Sequence, residues 1–125
     1  MFLSDNGNSI KLGDLNVSKV AKKNFAYTQT GTPYYLSPEV WRGEPYNSKC
    51  DVWSLGCVIF YLYSRGHKPW ERAKASLITV LLYNKEDFFA HVENSALEIV
   101  APIRSVLDAC LKHDHHERCS VTELK

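Results

Sequence analysis

Apolar positions are unevenly spread along the chain. The densest run is Val52 to Tyr63, where only Ser54 and Gly56 interrupt apolar side chains. A run apolar on nearly every face predicts a helix over Val52–Ser64 at the centre of a helical domain, with Asp51 as its cap and Gly66 as its stop. Leu77, Ile78, Leu81 and Leu82 recur at helical spacing, whereas residues 84–99 show no single period. Ile103, Val106, Leu107, Cys110 and Leu111 fall at i, i+3, i+4, i+7 and i+8 and predict the clearest amphipathic helix of the chain. Ser120 with Glu123 three residues on has the form of a capping box, which predicts a last helix beginning at Val121-Thr122-Glu123-Leu124.

The N-terminal part reads differently. Phe2-Leu3 and Ile10-Lys11-Leu12 flank the turn-forming run Asp5-Asn6-Gly7-Asn8, so residues 1–13 predict a β hairpin. Residues 14–49 carry little periodicity and are punctuated by Gly31, Pro33, Pro38, Gly43 and Pro45. A loop of that length in a compact domain is usually functional or disordered. The pattern predicts an α+β fold, mainly helical, with a small β element at the N-terminus.

Composition narrows the function. A chain of 125 residues is one domain or part of one. Its net charge of +1 leaves no bulk attraction for nucleic acid or a membrane surface, so neither is expected as a partner. The Val52–Tyr63 run falls short of the roughly 20 residues a membrane-spanning helix needs. Cys50, Cys57, Cys110 and Cys119 form no C-x-x-C pair, and the short apolar start Met1-Phe2-Leu3 with the polar run after it does not read as a secretory signal. Free thiols in a reducing, intracellular, cytoplasmic setting are expected.

Four segments carry candidate chemistry. In Lys11-Leu12-Gly13-Asp14-Leu15-Asn16 a carboxylate stands just past a short strand, where it could offer oxygen to Mg²⁺ or merely cap local amides. Gly31-Thr32-Pro33-Tyr34-Tyr35-Leu36-Ser37-Pro38-Glu39 is more specific: two prolines fix φ in an extended platform that suits a bound peptide. Asp51-Val52-Trp53-Ser54-Leu55-Gly56 follows, and Asp114-His115-His116-Glu117-Arg118 lies far downstream.

In this order the four segments resemble the C-terminal half of a eukaryotic protein kinase domain. Asp14-Leu15-Asn16 looks like the Asp-Phe-Gly element and Ser37-Pro38-Glu39 like Ala-Pro-Glu. Asp51 to Gly56 resembles the start of the central helix, and Asp114 with Arg118 resembles an Asp-x-x-x-Arg element. Leu15, Phe25-Ala26 and the Gly31–Glu39 run are most similar to the NIMA-related (NEK) serine/threonine kinases. The resemblance implies a C-lobe portion without its N-lobe: hairpin 1–13, activation segment 14–39 and helical body 51–125.

It also implies roles. Asp14 would hold Mg²⁺ on the phosphates of ATP, and Thr32 would support the catalytic loop. Thr32, Pro33, Tyr34, Tyr35 and Leu36 would form the platform for a protein substrate. Thr28 would be the regulatory phosphosite, with Lys19, Lys22 and Lys23 either meeting its phosphate or facing solvent. Glu39 would pair with Arg118, and Asp51 would hold the catalytic-loop backbone. A centrosomal or basal-body location is implied by the family alone.

Two departures stand out. Asn16 replaces a glycine, although Asn tolerates positive φ better than most residues. The chain also contains no Gly-rich phosphate loop, no Val-Ala-Ile-Lys lysine and no His-Arg-Asp catalytic loop. Aligned on the family pattern, Met1 falls immediately after the position of the metal-binding Asn of that loop. The catalytic base is therefore expected upstream of Met1, with no catalytic residue in the chain itself. The expectation is a fragment of an ATP-dependent serine/threonine kinase, inactive as this chain alone and binding neither Mg²⁺ nor ATP tightly. The alternative is a catalytically dead relative that serves as a protein-interaction module. Outside this scheme, Cys110, His113, His115, His116 and Cys119 cluster like metal ligands, though Cys110 also lies on the apolar stripe of its helix.

Overall fold

The computed structural model describes residues 2, 3, 7, 9–11, 35–66 and 100–124. Strands β1 (Phe2–Leu3) and β2 (Ile10–Lys11) pair antiparallel, with Phe2 opposite Lys11 and Leu3 opposite Ile10. Met1, the point upstream of which the catalytic base is expected, lies outside the described residues. So do the predicted Leu77–Leu82 helix and Asp14, Lys19, Lys22, Lys23, Thr28, Thr32, Pro33 and Tyr34.

Helix α1 (Pro38–Trp41) opens with proline at its first position, where the missing N–H costs nothing and φ is already helical. It closes by a Schellman motif. The Gly43 amide bonds the Val40 carbonyl at 3.1 Å and the Glu44 amide bonds Glu39 O at 2.9 Å. Gly43 takes the left-handed φ of +68° that this closure demands.

Helix α2 (Lys49–Tyr63) starts before the sequence predicts. Asn47 Oδ1 accepts the Lys49 amide at 2.9 Å, which nucleates the turn ahead of Asp51. Asp51 is thus not the cap. It sits exposed in the first turn, where its charge still suits the positive end of the helix. The other end also departs from expectation. Arg65, not glycine, is the first left-handed residue, at φ +57°. The Gly66 amide closes on Tyr61 O at 2.8 Å and that of Arg65 on Leu62 O at 3.4 Å, so the stop is a Schellman motif with arginine in the strained position.

Helix α3 (Ala101–Cys110) packs on α2. Val52, Trp53, Cys57 and Phe60 meet Leu107, Cys110 and Leu111 in one core, with Tyr35, Trp41, Ile59, Ile103, Cys119 and Leu124 against it. Two expectations need correction. Leu62 is 66% exposed, so α2 is not buried all round. Val106 is 37% exposed because it flanks the line through Ile103, Leu107, Cys110 and Leu111 that meets α2.

Gly56 sets the approach of the two helices. A Cβ there would lie 2.8 Å from Cys110 Cβ and 2.9 Å from Leu111 Cδ2. Beyond α3, Val121 to Leu124 forms a turn rather than the predicted helix. Glu123 Oε2 accepts both the Ser120 amide (2.6 Å) and its hydroxyl (2.7 Å), while the Glu123 amide goes to Ser120 O. The serine hydroxyl donates instead of accepting, so only half of the capping box forms.

Candidate functional site

The Gly31–Glu39 segment ends at Glu39 on α1, whose side chain points inward and is buried at 1% exposure. A buried carboxylate requires a partner. Arg118, equally buried and 79 residues away, supplies it as a parallel fork: Nη1 to Oε1 at 2.7 Å and Nη2 to Oε2 at 3.0 Å.

Arg118 itself is satisfied from three sides. Nη1 also donates to Lys49 O at 2.9 Å, a carbonyl in the first turn of α2. Nε donates to Lys112 O at 3.1 Å, just beyond α3. The guanidinium carbon stands 5.1 Å from the centroid of the Trp53 ring, within cation–π range. One side chain thereby joins α1, the start of α2 and the segment after α3. Burial raises the Glu39 pKa, but the hydrogen bonds and charge of Arg118 outweigh it and hold the carboxyl below its ordinary range.

The platform has a second tether. The Ser54 hydroxyl on α2 donates to the Tyr35 carbonyl at 2.8 Å, with Cys50 O as an alternative acceptor at 3.2 Å. Tyr35 also packs against the apolar core. Tyr35 and Leu36 are half-buried, so their outer sides remain open to a ligand.

Of the sequence-derived site residues, the structure brings Tyr35, Leu36, Glu39 and Arg118 onto one framework around α2. Asp51 faces solvent at its edge, and Asp14, Thr28, Thr32, Pro33 and Tyr34 lie outside the described residues. Sequence reasoning missed Ser54, although a polar residue inside an apolar run is a signal to look for its partner. It also missed the Lys49 and Lys112 carbonyls, which no side-chain motif can reveal.

Cys50, Cys57 and Cys110 are not nucleophiles in waiting. Burial, with the Asp51 and Glu39 charges, pushes Cys50 up to about 12. Burial also raises Cys57. Cys110 reaches about 12 through burial and the neighbouring Cys119 thiol. Such thiols stay protonated at neutral pH and react slowly.

The profile of the protein kinase domain family matches residues 1–125. The chain belongs to the protein kinase domain family. Human serine/threonine-protein kinase Nek5 is 48% identical over 73 residues, covering 57% of this chain and 10% of that protein. The G2-specific protein kinase fin1 of Schizosaccharomyces pombe is 51% identical over 73 residues, again 57% of this chain and 10% of its own length. Mouse serine/threonine-protein kinase Nek1 is 30% identical over 131 residues, 99% of this chain and 10% of that protein. The similarity is thus to NEK kinases, and the chain spans about a tenth of the length of these relatives. Among the described residues, no helix is long and apolar enough to cross a membrane.

Proposed function

We propose that residues 1–125 are the C-lobe portion of a NEK-like protein serine/threonine kinase, with 14–39 as its activation segment and 51–125 as its helical body. The observation that carries this reading is the buried fork between Glu39 and Arg118, which ties the end of the proposed activation segment to the helices. A peptide platform must keep its shape while a substrate is bound, and this pair together with the Ser54–Tyr35 bond supplies that rigidity.

In this reading Thr32, Pro33, Tyr34, Tyr35 and Leu36 receive the backbone of a protein substrate. Thr28 carries an activating phosphate. Asp14 holds the Mg²⁺ that neutralises the phosphates of ATP, and Thr32 supports the catalytic loop. The parent reaction moves the γ-phosphoryl group of ATP to a serine or threonine hydroxyl, chiefly by positioning and charge neutralisation. The catalytic base, the phosphate loop and the ATP-pairing lysine are not among these residues, so the chain by itself contributes a metal ligand and a platform. The same reading puts the base upstream of Met1.

The test compares the 125-residue chain with the full product of its gene, each incubated with Mg·ATP and a serine/threonine peptide. Transfer by the full product that disappears in Asp14→Ala and falls in Thr28→Ala supports the kinase. A full product that binds a protein partner through residues 25–45 but transfers no phosphate supports the interaction module. Transfer by the 125-residue chain alone that is lost in Asp14→Ala would overturn the assignment of the base to a segment upstream of Met1.

A further inference from the structure

The segment between α3 and Arg118 is a turn held at several points. Arg118 Nε reaches back to Lys112 O at 3.1 Å, Lys49 Nζ donates to His116 O at 3.1 Å, and the His116 amide donates to Asp114 Oδ1 at 2.8 Å. On this turn Asp114, His115 and His116 each offer a ligand atom, and all three atoms lie within 4.8 Å of one another. The two imidazoles face each other with centroids 4.1 Å apart and a tilt of 36°. Asp114 and His116 are exposed and His115 half-buried, so an ion reaches them from solvent.

We propose that this turn is a surface site for a divalent first-row transition ion, Zn²⁺ or Cu²⁺. The two imidazoles are borderline donors that favour these ions over Mg²⁺ or Ca²⁺, and the harder carboxylate is a ligand that Zn²⁺ also accepts. Zn–N bonds of about 2.0–2.1 Å put neighbouring tetrahedral ligands about 3.3 Å apart, a closure that side-chain rotation on one turn can supply. The backbone is already pinned, so only three side chains must be ordered on binding. Cys110 and Cys119 take no part: Cys110 is fully buried between α2 and α3, and Cys119 packs against the same core. The site therefore differs from the Cys/His cluster that the sequence suggests. Three protein ligands leave at least one position to water, which makes the site open and exchangeable rather than a structural zinc centre. The Lys49 ammonium, bonded to the His116 carbonyl, sets a positive charge beside the turn that weakens the site without blocking it.

The proposal is independent of the kinase reading, and its test needs no activity. Zinc chloride is titrated into the 125-residue chain in chelator-free buffer, followed by calorimetry and by the histidine ring signals in NMR. One ion per chain is expected, with two histidine rings shifting together. His115→Ala and His116→Ala should each weaken binding at least about tenfold. Asp114→Asn keeps an oxygen for the His116 amide and should weaken it less. Circular dichroism of each variant checks folding, and the urea-unfolded parent should bind more weakly than the folded chain. Unchanged binding in folded histidine variants would overturn the site. So would equal binding by the unfolded parent, or no uptake at the highest zinc concentration that stays in solution.

Discussion

Two junctions hold the described part of the molecule, and they work by opposite physics. At the Glu39–Arg118 junction two full charges leave water and are recovered by a fork of hydrogen bonds, two backbone carbonyls and an aromatic face. At the α2–α3 junction the contact is apolar. Gly56 removes a side chain so that Cys110 and Leu111 can close on the helix backbone. The first junction depends on every partner being present, the second on one atom being absent. A buried ion pair is a poor source of net stability but costly to break, whereas tight apolar packing is a net source that tolerates little added volume.

The largest effect should come from breaking the charged junction on one side. Glu39→Ala and Arg118→Ala each strand a buried charge and should cost about 3–5 kcal/mol in urea unfolding. The double variant Glu39→Met/Arg118→Met should recover much of that loss. A double variant as unstable as the sum of the singles would show that the two residues act separately. Arg118→Lys keeps the charge but loses the fork, and should remain clearly destabilised.

The apolar junction should respond to added volume. Gly56→Val forces a clash with Cys110 Cβ and Leu111 and should cost about 1–3 kcal/mol, more than the helix propensity it gains. Thermal melts that match the parent would mean that α2 and α3 can slide apart at little cost.

Acid separates the two junctions. Glu39 has a lowered native pKa, so its contribution is complete above the ordinary glutamate value of about 4.3. That contribution is lost as pH falls through the lower native value. Stability measured from neutral pH downward should therefore drop in that window in the parent and in Gly56→Val. The corresponding part of the drop should vanish in Glu39→Gln.

Ser54→Ala removes the bond to the Tyr35 carbonyl and should cost about 0.5–1.5 kcal/mol. Faster hydrogen exchange of amides around Tyr35, with the α2–α3 core unchanged, is the expected signature. The smallest effects belong to the surface pairs Arg42–Glu44 and Lys112–Asp108, where Glu44→Ala and Asp108→Ala should each shift stability by less than about 1 kcal/mol. A larger shift at either position would place surface charge alongside the buried fork as a source of stability.

Much of this was legible from local pattern. The apolar run from Val52 and the stripe from Ile103 to Leu111 announce α2 and α3, because a helix shows its buried face as a period in the chain. Boundaries were less legible. The start of α2 depends on an Asn47 side chain taking the Lys49 amide, and its end on an arginine adopting a conformation usually left to glycine. Both are outcomes of competition between caps a few residues apart, each differing by about 1 kcal/mol or less.

The candidate site divides in the same way. The resemblance of four ordered segments to a kinase C-lobe was enough to bring Glu39 and Arg118 forward as a pair. The extended reading of Gly31–Glu39, by contrast, fails at its end, where Pro38 and Glu39 begin α1, and its start at Gly31–Tyr34 lies outside the described residues. The sequence also holds no apolar run of membrane-spanning length and carries a net charge of only +1. Only the tertiary structure decided that the pair is buried as a two-point fork, that the Lys49 and Lys112 carbonyls complete it, and that Ser54 holds Tyr35. It also decided that Cys110 turns into the core while Asp114, His115 and His116 gather outside it. The reason is physical: a side chain's identity is carried by the sequence, but its dielectric surroundings and its backbone partners exist only once distant segments have packed around it.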